Sequence, residues 1–478
     1  MCAAAAHAEP ASQLRASTAT LLDPWDERPG EDHVEQWTRA ALGLRAPFGE
    51  GEAFSELQAL HLVLSGATGT ESAAALRLGE AGWRGPVGRA WLSAGNLMTP
   101  AGQLAVLSPL DVLSPRDLRA GLAAAPADLR LPAPAVSLEM GTQTVVQLLW
   151  MPLGARDLVP LIGTDASLVR QGMLQDAVHG LQAQAADQPA LIAPTATALA
   201  DALGAQVARA NPQTRRALEQ AVLDTQRPAP VTEASDLAVR LRGSAGPVQL
   251  EALAAWMRSR RPALRVAPEL GALVTGAARI DALGWLAAPP ELDDAVSVSW
   301  PRTAVVGGGL SVPVGPLLCT AEGAWTSSRV VQRQGLGAVT RAVSSAAAGA
   351  EWTPAGQPAL IGGELRVEKL HDIVDPDGLL LAVPLNAEAA AYVEWRLWRE
   401  RLALQGGALG SFAFRELALR PGARVDLHDG LWLELGGLWI PSAAPAPRSL
   451  AAVAGFEGGP IGALSDTEHL RVGLSWAR

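Results

Sequence analysis

Residues 236–243 read Asp-Leu-Ala-Val-Arg-Leu-Arg-Gly, and their spacing decides the fold. Leu237, Val239 and Leu241 fall on one face of an extended chain, and Asp236, Arg240 and Arg242 fall on the other. That two-residue repeat is the signature of a β-strand with one apolar and one polar side. The pattern returns further along the chain. Leu365 and Val367 oppose Glu364, Arg366 and Glu368; Val393, Trp395 and Leu397 oppose Glu394 and Arg396. Val425 and Leu427 oppose Arg424, Asp426 and His428, and Leu431, Leu433 and Leu435 oppose Glu434. The last segment sets Leu470, Val472, Leu474 and Trp476 against Arg471 and Ser475.

An antiparallel sheet with one wet face alternates in the same way, so period two alone leaves a soluble or surface-attached β-rich binding protein open as the alternative. Three features favour a membrane-spanning barrel. The alternating runs extend over about ten residues, the length that crosses a bilayer at a tilt. The connections alternate between tight turns (Gly141-Thr142, Ser244–Pro247, Pro313–Pro316, His428–Gly430) and long segments near 96–132, 153–235, 258–297, 327–341, 371–386 and 441–466. Short periplasmic turns facing long extracellular loops characterise outer-membrane barrels. Tryptophans also gather near strand ends, at Trp150, Trp256, Trp300, Trp325, Trp352, Trp439 and Trp476, where an indole meets the headgroup region. The expectation is an all-β transmembrane antiparallel barrel of roughly 16–18 strands in a Gram-negative outer membrane. Its immediate partners would be outer-membrane lipid and the barrel-assembly machinery.

Composition narrows the function classes. The 478 residues carry a formal charge of -10, which argues against a counterion-releasing grip on nucleic acid. Two cysteines, Cys2 and Cys319, and seven scattered histidines offer no disulfide framework and no metal-ligand spacing, and no cofactor is expected. No run reaches the roughly 18–20 apolar residues of a spanning helix. A barrel hydrolase would need a nucleophile elbow that is absent from the sequence. Ser475 and His469 share a face of the last strand but stand roughly 20 Å apart at about 3.3 Å per residue, so no enzymatic role is expected.

The alanine-rich start, with Ala6-His7-Ala8 before Glu9, reads as the remnant of a secretory signal, which assigns 1–33 to that remnant and an N-terminal segment and 34–478 to the barrel. A mostly helical insert is expected at about 165–228, divided at Asn211-Pro212 where asparagine caps and proline opens a helix. It either folds inward as a plug or stands outside as a cap. If the barrel spans, charged side chains must turn inward, since an arginine facing lipid at mid-membrane costs roughly 2–4 kcal/mol. The lumen-lining candidates are Arg240, Arg242, Glu322, Glu364, Arg366, Glu368, Glu394, Arg396, Arg424, Asp426, Glu434 and Arg471, whose mixed signs predict weak ion selectivity. The segment LSPLDVLSPRDL, Leu107–Leu118, repeats proline and aspartate closely enough to form an ordered loop. There Asp111, Arg116 and Asp117 either brace successive turns or contact a ligand.

That loop, with LPAPAVSLEMGTQTVVQLLWMPL (Leu131–Leu153) after it, resembles a family of uncharacterised proteobacterial outer-membrane β-barrels bearing an NPRD-like loop. The hairpins SDLAVRLRGSAGPVQLEALAAWM, WPRTAVVGGGLSVPVGPLLCTAEGAW and the closing IGALSDTEHLRVGLSW are similar to that family's repeats, so the resemblance runs from about residue 34 to 478. The chain departs from it at Ala94-Gly95-Asn96 and Thr99-Pro100, and it ends Trp476-Ala477-Arg478 rather than on an aromatic residue. The resemblance implies an outer-membrane channel or transport protein, for a hydrophobic molecule or lipid, working with periplasmic or inner-membrane export components.

Overall fold

The computed structural model describes residues 11–22, 32–66, 69–117, 129–153, 157, 171–187, 190, 193–198, 200–202, 205, 235–261, 263–266, 296–334, 337–373, 378–428, 430–441, 452, 456–461, 463–464 and 468–477. The first strands are β1 (Ala11–Leu22), β2 (Asp32–Phe48), β3 (Gly51–Gly66), β4 (Gly69–Val87), β5 (Ala90–Leu97), β6 (Ala133–Met140) and β7 (Thr144–Met151). After helix α1 (Gln171–Ala186) come β8 (Asp236–Ala245), β9 (Val248–Arg258) and a small hairpin, β10 (Ala263–Val266) with β11 (Val296–Ser299). The wall resumes with β12 (Arg302–Val314), β13 (Leu317–Gln332), β14 (Ala338–Trp352), β15 (Ala359–Leu370) and β16 (Leu385–Leu397). It finishes with β17 (Leu402–Ser411), β18 (Glu416–His428), β19 (Leu431–Leu438) and β20 (His469–Ala477).

Apart from the β10–β11 hairpin, these strands form one 18-stranded sheet in which each pairs antiparallel with its neighbour in sequence. β9 passes its ladder to β12 through Glu251↔Gly309, and β20 pairs back onto β1 through Ser17↔Ser475, so the sheet has no free edge. Closure removes every unpaired edge amide, which is what allows a sheet to sit in a medium without water.

The two faces are inverted relative to a soluble sheet. On β8, Leu237, Val239 and Leu241 are exposed while Asp236 and Ala238 are buried; on β9, Leu250 and Trp256 are exposed while Glu251, Leu253 and Met257 are buried. The same apolar outside runs through Leu365 and Val367, Val393 and Trp395, and Leu470, Val472 and Leu474. Hydrocarbon is the solvent such a face matches, and this is the architecture of an outer-membrane β-barrel.

The connections sort by end. At one end lie the turns at 49–50, 88–89, 141–143, 246–247 and 315–316, together with the start of β1 and the end of β20. Gly246 and Gly315 take positive φ directly before proline, which suits a two-residue hairpin led by glycine. At the other end lie the connections 98–132, 152–235, 259–301, 371–384 and 439–468. Exposed Trp150, Trp256, Trp325 and Trp439 sit toward this long-loop end, and exposed Trp352 and Trp395 toward the short-turn end, as two girdles.

Several boundaries differ from the sequence expectation. The wall begins at Ala11 rather than near residue 34, because β1 pairs with both β2 and β20. Its Ser-Thr-Ala content gives little apolar contrast between faces, which hides the period. Of the segment 1–33 expected to hold the signal remnant and an N-terminal segment, residues 1–10, with Ala6-His7-Ala8, lie outside the described residues. The segment 327–341 is mostly strand, not loop: β13 runs on to Gln332 through a register shift between Thr326 and Arg329 that breaks the alternation. Strand lengths are also unequal, from 8 residues in β5 to 19 in β4, where about ten were expected throughout. Of the insert expected at about 165–228, α1 and the helical residues 193–198 are described, and Gln182 Nε2 donates to Asp201 Oδ1 at 3.0 Å; Asn211 and Pro212 lie outside the described residues.

Candidate functional site

The connection from β5 to β6 turns into the barrel instead of away from it. Irregular backbone inside a lumen needs partners for its amides, and the wall supplies them as carboxylates. Gly102 N donates to Glu251 Oε1 at 3.1 Å, and Leu104 N donates to Glu322 Oε1 at 3.0 Å, where Gln103 N donates as well. Ala105 N reaches Glu364 Oε1 at 2.7 Å, Leu107 N reaches Glu364 Oε2 at 2.6 Å, and Val106 N lies between the two oxygens. Ser108 Oγ donates to the second oxygen of Glu322. Six consecutive amides are therefore held by β9, β13 and β15. From β6 to β15 the ladder covers about half of the circumference, so the loop crosses a large part of the lumen.

These carboxylates are buried, and a buried charge is tolerated when hydrogen bonds saturate it. Arg240 completes the Glu251 site, with Nε on Oε1 at 2.7 Å and Nη1 on the Pro100 carbonyl at 2.9 Å.

Apolar packing fixes the other side of the loop. Leu97, Ala101, Leu110 and Leu113 join Ala133, Leu149, Met151, Leu253, Met257 and Val305 from the wall in one cluster. Leu110 is fully buried, and a Cβ on Gly307 would stand 2.6 Å from its Cδ2. Gly349 relates to Leu104 in the same way, at 2.8 Å. These wall glycines are sockets for loop leucines.

The ordered-loop candidates all take part in bracing. Asp111 Oδ2 accepts from Arg116 at 2.8 Å and from Arg130 at 2.9 Å, while Asp117 N bonds the Leu129 carbonyl and its carboxylate stands 3.9 Å from Arg77. Arg260, where β9 leaves the wall, donates to the carbonyls of Val112 at 3.0 Å and Leu113 at 2.8 Å and to Asp236 at 3.0 Å.

All twelve lumen candidates occupy the face opposite the exposed apolar belt. Their surroundings divide them. Arg240, Glu322 and Glu364 hold the loop. Arg242 pairs with Glu139 at 3.0 Å, Arg366 with Glu388, Glu368 with Arg329, and Arg396 with Glu394 at 2.7 Å. Arg424 lies over the Trp432 ring at 4.0 Å, beside Asp426, and Glu434 accepts from Arg471 at 3.3 Å and Ser475 at 2.9 Å. Sequence reasoning missed Glu251, Glu139, Glu388 and Arg260. Beneath the loop the inward face of β9 turns apolar at Leu253, Ala255 and Met257, so the alternation of Gln249 and Glu251 with Val248, Leu250 and Ala252 is too short a run to mark Glu251 as a lumen residue.

The closed wall, lipid-facing belt and inward loop define the class: a porin-like β-barrel of the outer-membrane type. No family model matches the chain, and the resemblance drawn from Leu107–Leu118 has none beside it. No curated protein matches. Among solved structures the chain is similar to OccAB4 of Acinetobacter baumannii, at 7% identity and a TM-score of 0.48 over 99% of each chain. It is similar to Pseudomonas aeruginosa OccK5 (OpdH), at 9% identity and a TM-score of 0.45 over 98% of each chain. Identities this low leave substrate and partner untouched; the closed strand ladder is what establishes the architecture.

Proposed function

We propose that the protein is a passive, non-enzymatic outer-membrane channel for small polar solutes, narrowed by the loop that follows β5. The observation that carries this reading is the pinning of residues 102–107 by Glu251, Glu322 and Glu364 inside a closed barrel. A wall of that size encloses water unless something fills it, and here a loop covers one side while charged pairs line the other. The resemblance implied a hydrophobic molecule or lipid as cargo. The ladder of Arg366–Glu388, Arg396–Glu394 and Arg471–Glu434 instead favours a hydrated solute, because stripping water from such pairs is costly.

Two alternatives find less support. A water-soluble binding protein would expose the belt of Leu237, Leu365 and Leu474 to water, an apolar surface that drives association. A hydrolase would use Ser344, whose Oγ lies 2.8 Å from His371 Nε2, but among the described residues no acid hydrogen-bonds that imidazole to orient it.

The test combines two measurements on the full chain in detergent and lipid. An unboiled sample migrates faster than a boiled one on a gel, and proteoliposomes swell in an isotonic pentose solution. A barrel that shifts but leaves liposomes impermeable contradicts the channel reading; a protein that is recovered without detergent and shows no shift contradicts the membrane reading.

A further inference from the structure

Arg260 and Arg261 follow one another where β9 ends, and they meet different fates. Arg260 is consumed by Asp236 and two loop carbonyls. The Arg261 guanidinium has no ion pair or hydrogen bond among the described residues; the residue keeps an exposed surface, yet burial of its guanidinium pulls its pKa below the usual arginine value. It lines a recess of about 230 Å³ between the inward loop and the wall of β9 to β15. Arg329 and Arg366 line the same recess from β13 and β15, and Arg116 lines it from the loop. Both β13 and β15 run toward the long-loop end, so Arg329 and Arg366 lie on that side of the Glu322 and Glu364 anchors.

Among the described residues, the acids of the recess are Asp111, Asp157 and Glu368. Asp111 is taken by Arg116 and Arg130, and Glu368 by Arg329, while Arg366 is balanced by Glu388. Asp157 accepts the backbone amide of Arg116 at 2.9 Å and makes no ion pair among the described residues. Burial pushes its carboxyl above the usual carboxylate range, outweighing the Arg116 amide bond and the nearby guanidinium groups that pull it down. Arg261 is thus the cation without a hydrogen-bonded counter-ion among the described residues, its charge opposed by Arg329 and Arg116 and favoured by Asp157 and Glu368. A guanidinium so placed offers a planar fork that matches carboxylate or phosphate oxygens.

We propose that this recess binds the oxyanion of a small solute, carboxylate or phosphate, with Arg261 as its principal donor. The part of the proposal that concerns passage rests on the channel reading: an anion entering from the long-loop end meets Arg261 before the narrowed part of the lumen. The volume suits a short-chain carboxylate or a phosphate group and falls below the roughly 300–1,000 Å³ of sites for larger ligands.

The experiment is calorimetric titration of the full-length barrel in detergent at low ionic strength. Inorganic phosphate and acetate are titrated separately, so that the responding arm identifies the oxyanion. The native chain is compared with Arg261→Ala, which removes a water-exposed side chain, and with Arg39→Ala on β2, outside the recess. Saturable binding of at least one anion is expected, weakened about tenfold or more in Arg261→Ala, as for the loss of one charge-assisted contact, and unchanged in Arg39→Ala. Absence of saturable binding, or equal affinity in native and Arg261→Ala chains, overturns the proposal. Conductance of the same preparations separates the two readings. A conducting barrel that ignores both anions loses this site and keeps its channel; a non-conducting barrel whose binding depends on Arg261 loses the channel and keeps the site.

Discussion

A single carboxylate, Glu322, holds two amides and one hydroxyl of the loop, so its removal strands several donors at once. Hydrogen bonds to a charged group contribute about 1.5–3 kcal/mol each. Glu322→Ala is therefore expected to free the loop without opening the barrel, read as faster hydrogen exchange of amides 102–107 while the strand amides keep their protection. Gly307→Val tests the opposite surface of the loop. Any Cβ there meets the Gly323 carbonyl and stands 2.6 Å from Leu110, and overpacking of this kind costs about 1–3 kcal/mol. A lower thermal midpoint for loss of the compact gel band, with larger conductance steps, is the expected result. At Asp157 the raised carboxyl means that ionisation opposes folding: its penalty is full above the raised value, declines as pH falls below it and is gone only below the ordinary carboxylate value of the unfolded chain. Asp157→Asn is expected to leave stability at neutral pH unchanged or raised and to tighten anion binding at the recess, both measurable on the titrated preparations. At this scale the sequence revealed which way Glu322, Glu364 and Arg240 point, since charge cannot face lipid. It did not reveal that they bind backbone amides, because those amides lie in a loop remote in sequence.

The strands were legible wherever one face is apolar and the other charged, as in β8, β15, β16, β18 and β20. They were obscure where that contrast fails: in β1, built from small polar residues; in β9, apolar on both faces beneath the loop; and across the β13 register shift. Two neighbouring positions on β20 test the assignment of faces. Leu474 is exposed and pairs with Leu433 and Thr18, whereas Ser475 hydrogen-bonds Glu434 on the inner face. Leu474→Arg is expected to cost roughly 2–4 kcal/mol and reduce assembly into membranes, while Ser475→Arg still yields the heat-modifiable form. Closure itself is testable at Ser17 and Ser475, which face each other across the β1–β20 seam. Directly opposed antiparallel positions lie about 4.5–5.5 Å apart at Cα, within disulfide range. A Ser17→Cys/Ser475→Cys chain is expected to crosslink on oxidation, giving a boiled species whose mobility depends on reductant.

For the whole molecule, the 18-stranded wall would by itself leave a wide aqueous lumen. The β5–β6 connection changes that, seated on an apolar half of the inner surface and tied to three strands by Glu251, Glu322 and Glu364. On the channel reading, the remaining half, with its paired arginines and glutamates, is the path left for a solute. Single-channel conductance in planar bilayers, comparing the native chain with Glu251→Ala/Glu322→Ala/Glu364→Ala, tests this most directly, with gel mobility used to verify that both barrels are closed. Small steps from the native chain and clearly larger ones from the triple variant are predicted. No conductance from either closed barrel, or steps of equal size from both, would contradict a pore narrowed by this loop.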